Sequence, residues 1–225
     1  MHEHVLSKNP GGVKETLSAI NEFDKGLGLS LGFEKGGILA KVVADVMHAL
    51  SEPNEPIHIL EMGSHLGDGT LHMVDALGSK SASLTAIEPS IDSHSIGSRI
   101  VREALKKDAG QKVKYNPAKM PFDFDDFLHS TSETHEIPHF HVVVMDHGDH
   151  TTFSDDLQSL LMSGMLAPGA KIVADNAYTK RLEKQDYFDF INANENLFDS
   201  EVIDVTKPYR DQVHVATYKV SHDEL

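Results

Sequence analysis

The segment Ile57-His-Ile-Leu-Glu-Met-Gly-Ser-His-Leu-Gly-Asp-Gly-Thr70 decides the fold. Ile57, Ile59 and Leu60 are apolar residues suited to a buried strand. Gly63, Gly67 and Gly69 then break the run, with Ser64, Asp68 and Thr70 among them. A helical pattern follows in Leu71, Val74, Ala76 and Leu77. Strand, glycine loop and helix in that order open the first ligand-binding turn of a doubly wound α/β domain. Glycine there permits positive φ and lets a ligand approach the backbone. The spacing Gly-x-x-x-Gly-x-Gly is neither the dinucleotide fingerprint nor the phosphate loop ending in Gly-Lys-Ser/Thr. The loop is therefore expected to cradle something other than a pyrophosphate, although a tight turn without ligand would use the same glycines. Glu61, just ahead of Gly63, points to an S-adenosylmethionine (AdoMet) site.

Outward from this segment, strand and helix patterns alternate. Upstream, residues 12–25 and Glu34 to Leu50 read as amphipathic helices, separated by a glycine-rich loop, Gly26 to Gly32. The breaker Ser51-Glu-Pro-Asn-Glu-Pro56 ends the second helix. These helices are expected to cap the strand ends. Downstream, Leu84–Glu88, Val113–Tyr115, Phe140–Met145 and Lys171–Ala174 read as strands. Helices are expected at Ser95–Ala109, Phe122–Leu128, Leu157–Met165 and Lys184–Asn192, with a polar loop from His129 to His139. Glu201–Val205 and Val213–Tyr218 close the chain as an antiparallel pair at one edge. Such alternation implies a mostly parallel sheet with helices on both faces. We read residues 1–225 as a single domain, with 1–56 a helical cap and 57–225 the α/β core.

The totals exclude several classes. The 225 residues carry 35 acidic and 20 basic side chains, a net charge of −15 with 15 histidines neutral. That balance argues against nucleic acid and anionic membranes as partners. Cysteine is absent, which removes disulfides, thiolate zinc sites and cysteine nucleophiles. No apolar run approaches the roughly 20 residues of a membrane helix. The N-terminus lacks a hydrophobic signal core, so a cytoplasmic location is expected. The final His222-Asp-Glu-Leu225 matches an endoplasmic-reticulum retrieval tail, which would reverse that expectation if an upstream entry signal is missing. A monomer or weak dimer is expected.

In a doubly wound sheet, ligands sit beyond the carboxyl ends of the strands. Glu61, Glu88, Asp146 and the pair Asp175-Asn176 all fall at such ends. Glu88 stands about 25 residues past Gly63, where nucleotide-binding α/β folds place the acid that grips ribose hydroxyls. Asp146, Asp175 and Asn176 together offer oxygen ligands suited to a hard cation such as Mg²⁺. Singly, each also suits a turn or helix cap. His58, His141 and His214 lie inside strand patterns and are expected to be structural. His65, His147 and His150 lie in expected site loops. The two literal matches to hydrolase motifs both fall on expected loops. His135-Glu-Ile-Pro-His139 has a proline inside it and lies in the polar loop where the zinc motif needs a helix, and Gly28-Leu-Ser-Leu-Gly32 lies between two helices where a nucleophile elbow needs a strand-to-helix turn.

In chain order, the motifs are the glycine-rich loop, Ile-Leu-Glu61-Met-Gly63-Ser64, Thr-Ala-Ile-Glu88, Val-Met-Asp146-His147 and Gly-Met-Leu-Ala-Pro-Gly-Ala-Lys-Ile-Val-Ala-Asp175-Asn176. This series resembles the catechol O-methyltransferase family across nearly the whole chain. The resemblance implies a seven-stranded, Rossmann-like AdoMet-dependent methyltransferase fold with the last strand antiparallel. It implies AdoMet as donor, Mg²⁺ as cofactor and a catechol or similar vicinal-dioxygen acceptor. Carried over by position, Asp146, Asp175 and Asn176 would hold Mg²⁺, and Glu88 the ribose. Leu31, Glu61, Gly63 and Ser64 would line the methionine end of the donor, His147 would sit near the adenine, and His65, Gly67, Gly69 and Asp146 would complete the donor pocket.

Three departures stand out. The family runs Asp-His-Trp-Lys, with the lysine as base, where this chain has Asp146-His147-Gly148-Asp149. Asp149 or His150 is then the candidate base, Asp149 alternatively being a further metal ligand. Gly148 removes one adenine wall. Pro117-Ala-Lys-Met-Pro121 replaces a small polar run, and the acceptor-side segments Tyr178–Leu182 and Lys207–Arg210 also diverge. An O-methyltransferase is the favoured reading. The alternatives are an inactive relative that binds AdoMet or a partner protein, and a nicotinamide-dependent oxidoreductase, against which the missing Gly-x-Gly-x-x-Gly counts.

Overall fold

The computed structural model describes residues 2–24, 30–50, 55–119, 124, 127, 139–207 and 209–220. The expected helix at Phe122–Leu128 (Phe124 and Phe127 apart), most of the loop before His139, and the C-terminal tail lie outside these residues. So do parts of the loops around Gly26, Ser51, Pro121 and Pro208.

Seven strands form one sheet: β1 (Ile57–Met62), β2 (Ser81–Glu88), β3 (Lys112–Lys119), β4 (Phe140–Met145), β5 (Leu166–Ala174), β6 (Phe198–Val205) and β7 (Asp211–Tyr218). Their spatial order is β3-β2-β1-β4-β5-β7-β6. Strands β1 to β5 pair in parallel, and β7 inserts antiparallel between β5 and β6. The chain turns from one half of the sheet to the other between β1 and β4, the switch point at which such sheets bind ligands. The expected closing pair is present at this edge, with β6 outermost.

Burial follows the two-residue period of strands. Ile57, Ile59, Val142, Val144, Val173 and Val215 face one apolar layer. Leu60, Met62, Val143, Met145, Ile172 and Ala216 face the other. Strand β4 is buried along its length, as its nearly all-apolar run predicts. The first layer is completed by α1 (His2–Ser7), α2 (Val13–Phe23), α3 (Gly32–Ala49), α4 (Asp68–Leu77) and α5 (Ile91–Lys107). The second is completed by α6 (Phe153–Met162) and α7 (Gln185–Ala193). No helix among the described residues is long and apolar enough to cross a membrane.

Leu39, Val42, Val43 and Val46 of α3 pack into the first core layer together with Val142, Val144 and Val173. An apolar stripe this wide is satisfied by a sheet face and not by loops at strand ends. Only the first turns of α3 reach the ligand-binding edge.

Register brings the site residues level. Met62 pairs with Met145, and Met145 with Ala174. Gly63, Asp146 and Asp175 therefore leave the sheet side by side. Gly63 has φ +91, and a Cβ there would stand 2.5 Å from the Asp146 carbonyl oxygen and the His147 backbone. Two backbones meet at this point, and only glycine lets them.

The structural reading of the strand histidines holds for His214, whose Nδ1 lies 3.0 Å from the Tyr187 hydroxyl in the second core layer. Burial, reinforced by Arg181, pushes His214 down to about 4. The rings of Tyr187 and Phe188 complete its surroundings.

Two outcomes follow. Gly63→Ala should lower the melting temperature by about 4–8 °C, from about 2 kcal/mol of strain and displaced backbone, whereas Gly148→Ala, with open space around its Cβ, should be neutral. Thermal unfolding of the two variants checks this. The unfolded chain takes up a proton on His214 near pH 6.5, and the folded chain refuses it until about pH 4. Stability from this group is intact above pH 6.5 and is lost as pH falls towards 4, by up to roughly 3 kcal/mol. The slope of melting temperature against pH over that window should be shallower in His214→Gln; an unchanged slope would remove His214 from the acid response.

Candidate functional site

Lys35 projects from the first turn of α3 across the carboxyl edge of the sheet. Its Nζ donates to Asp175 Oδ2 at 2.9 Å, Asp211 Oδ2 at 2.8 Å and Asn176 Oδ1 at 3.2 Å; Asp175 Oδ1 is also 2.9 Å away but has no hydrogen-bond partner among the described residues. The side chain is 3% exposed. Burial alone would lower its pKa, yet Asp175 and Asp211 outweigh burial and raise it, so the ammonium stays charged. Asp211 starts β7, which runs antiparallel and so begins where β5 ends. Its other oxygen, Oδ1, accepts from the backbone N–H groups of Tyr178 (3.3 Å) and Thr179 (3.0 Å). Asn176 adopts φ +54, a left-handed conformation that asparagine tolerates. It turns its Oδ1 to Lys35 and its Nδ2 towards Asp146 Oδ1, 3.4 Å away.

One ammonium does not balance the acids around it. Asp146 is raised well above the ordinary carboxylate range by burial and by Asp175 beside it. Burial raises Asp68 as well. Glu61 is buried beneath the glycine loop, where the Thr70 hydroxyl donates to it, and burial pushes it up to about 8. A side chain at Gly69 would collide with the Glu61 carboxylate. Asp68 accepts from the Leu31 amide at 2.6 Å, fixing the start of α3 over the loop. The result is a cavity floored by carboxyl groups that burial keeps from ionising freely and that a cationic ligand would help to ionise.

Of the residues expected to hold the donor, Leu31, Glu61, Gly63, Ser64, His65, Gly69 and Asp146 line this one cavity. Lys35, Asp68, Asp175, Asn176 and Tyr209 line it too. Three expected residues stand behind the wall. Gly67 is the left-handed N-cap of α4. Glu88 accepts from the His65 amide (2.8 Å) and the Ser90 amide (2.9 Å), so it sets the loop from beneath. His147 places Nε2 3.0 Å from Thr152 Oγ1 and 3.0 Å from Asp156 Oδ2, with its ring against Phe153. Its buried Nδ1 has no partner among the described residues.

The two candidate bases lie off the described wall. Asp149 is exposed and caps the 3₁₀ turn His150–Thr152, accepting from the Thr151 N–H and hydroxyl; these bonds lower its pKa and weaken it as a base. His150 Nδ1 lies 3.1 Å from Lys184 Nζ, and burial followed by Lys184 pushes it down to about 4. Lys184 is itself 1% exposed and lies over the Phe153 ring at 4.4 Å. Burial pushes Lys184 down to about 8, against the pull of Asp175, Asp146 and Asp211.

Lys35, Asp68, Asp211 and Lys184 were not among the residues expected from sequence. For Lys35 a signal existed: it shares a helical stripe with Leu39, Val42 and Val46, and a charged residue on a core-facing stripe needs a partner. Asp211 and Lys184 gave none, because their burial depends on how β7 and α7 close over the edge.

Among the described residues, no group of three or more His, Asp or Glu side chains is arranged to hold a metal ion. Compared with protein-family models the sequence matches none, and it matches no curated protein. Solved structures do resemble the chain. An O-methyltransferase from Bacillus cereus in complex with SAH matches with a TM-score of 0.70 at 17% identity, over 92% of this chain and 90% of that one. The cofactor-bound Rv0187 from MTB gives 0.67 at 14% identity, over 93% and 90%. Fibrillarin from Aeropyrum pernix, with natively bound S-adenosyl-L-methionine, gives 0.53 at 14% identity, over 79% and 74%. At these identities the likeness is one of fold, and the fold is the Rossmann-like methyltransferase sheet, with β7 running against the other six strands.

Proposed function

We propose that the chain is an AdoMet-dependent O-methyltransferase acting on a small hydroxylated acceptor, a catechol or similar vicinal-dioxygen compound. One observation carries the donor half: the cavity at the switch point joins a glycine loop open to close approach with more buried acid than Lys35 can neutralise. AdoMet brings both a sulfonium and an ammonium, and such a floor favours cations. Matches with bound SAH or S-adenosyl-L-methionine on the same fold support this choice. In the proposed reaction the acceptor oxygen attacks the methyl carbon in line as the methyl–sulfur bond breaks; SAH leaves, and the hydroxyl proton passes to solvent water. The chain contributes alignment through Leu31 and the Gly63 loop, and charge placement through Glu61 and Asp146. Asp149 and His150 are left out of it.

Mg²⁺ is the finer part of the expectation, and the donor set does not fit it as arranged. Of the three oxygen ligands, Asp175 and Asn176 already face the Lys35 ammonium, and Asn176 offers Asp146 a donor in place of a shared ion. No step is therefore routed through a metal. The acceptor class rests on the sequence resemblance.

Isothermal titration should find one AdoMet per chain, and a methyl-transfer screen over catechols and other vicinal diols should find a methylated product. Binding without any product would select the AdoMet-binding relative. No binding would overturn the reading. The donor's cationic groups favour ionised Glu61, whose empty-site pKa of about 8 reflects burial together with the nearby Asp68 and Glu88 carboxylates. Affinity should accordingly rise with pH up to about 8 and then level off, with proton release near neutrality. Glu61→Gln should flatten this dependence and weaken binding about tenfold, or about 1.4 kcal/mol. An equal slope in the variant would take Glu61 out of the donor site.

A further inference from the structure

We propose that the Lys35 ammonium is the resident cation of this site, standing among Asp175, Asn176 and Asp211 where a divalent metal would otherwise be held, so that the chain works without one. The inference rests on the methyltransferase reading for its meaning, but its geometry is independent of it. An ammonium has three N–H donors and no acceptor. Lys35 has three partner residues, at 2.8 Å (Asp211), 2.9 Å (Asp175) and 3.2 Å (Asn176). Every donor is used, and every partner comes from the edge where β5 ends and β7 begins.

The arrangement is built rather than incidental. The stem of Lys35 leaves an apolar helix face, its side chain is 3% exposed, and the Tyr209 ring lies 5.3 Å from Nζ. Asp211, 0% exposed, has its second oxygen fixed by two backbone amides, so it cannot turn away to serve another ion without leaving them unpaired. Asn176 completes an alternation of acceptor towards Lys35 and donor towards Asp146. A divalent ion bound by Asp146, Asp175 and Asn176 would have to share Asp175 and the Asn176 oxygen with a positive charge already in hydrogen-bond contact with both, and would displace the Asn176 amide from Asp146. Remove that charge, and three carboxylates remain with no cation in hydrogen-bond contact among the described residues.

Mn²⁺ alone, followed by electron paramagnetic resonance, tests this on the full chain. With protein in excess, wild type should leave the spectrum of aqueous Mn²⁺ unchanged. Lys35→Ala opens space and leaves the carboxylates unanswered; it should take up one Mn²⁺ per chain, a gain on the order of 100-fold in affinity. Adding Asp175→Asn should abolish the uptake. Stoichiometric Mn²⁺ binding by wild type would overturn the proposal, and this arm does not depend on any variant folding. A folded Lys35→Ala that binds no Mn²⁺ would equally overturn it. Should Lys35→Ala unfold, Lys35→Met keeps the stem and serves in its place. Failure of the methyltransferase reading would show as absent AdoMet binding and would leave these spectra unchanged.

Discussion

A lysine ammonium held out of water must have its charge answered nearby, and here the answer comes from the other end of the chain. Lys35 meets Asp175 and Asp211 across 140 and 176 residues of sequence. The contact fixes the start of α3 against the ends of β5 and β7 at once. Leaving a buried charge without its partner typically costs about 3–5 kcal/mol, comparable to a large part of a domain's net stability. The ligand-binding edge is thus closed on one side by electrostatics and on the other by packing. Asp68 repeats the device on a smaller scale by holding the Leu31 amide.

From that fixed frame the character of the cavity follows. Gly63, Asp146 and Asp175 leave three neighbouring strands at one level, because the strands pair in register up to Met62, Met145 and Ala174. The loop after β1 can pass so close to the loop after β4 only because residue 63 lacks a side chain. Glu61, Asp68 and Asp146 are then buried around one opening with their pKa values raised. Shifts of this kind gather where a protein awaits a ligand of opposite charge.

The sheet was legible in the sequence because its strands are short apolar runs punctuated by Gly, Pro and acidic residues. Ile57–Met62 and Phe140–Met145 are the clearest cases. Strand limits were read short where polar residues line an edge, as in Lys112–Lys119 and Phe198–Val205, since half-exposed strands carry little apolar signal. The surface on which α3 packs was not legible, because amphipathicity shows that a helix packs but not on what. That Leu31, Glu61 and Ser64 would gather at one place was implied by the resemblance, and they do line one cavity. The charge balance of the site was not legible. Asp146, Asp175 and Asn176 read as a cation site from residue type alone, while the cation beside Asp175 and Asn176 belongs to a helix far upstream. Which buried acid faces which base is a property of tertiary closure, and Asp211 and Lys184 carry no local mark of it.

The most direct measurement is a crystal structure grown with SAH and excess Mg²⁺. The account predicts the nucleoside density in the cavity beside Gly63 and Glu61, with Lys35 Nζ still in contact with Asp175 and Asp211. A metal ion bridging Asp146 and Asp175, with Lys35 turned out to solvent, would contradict it, as would SAH bound away from the β1–β4 switch point.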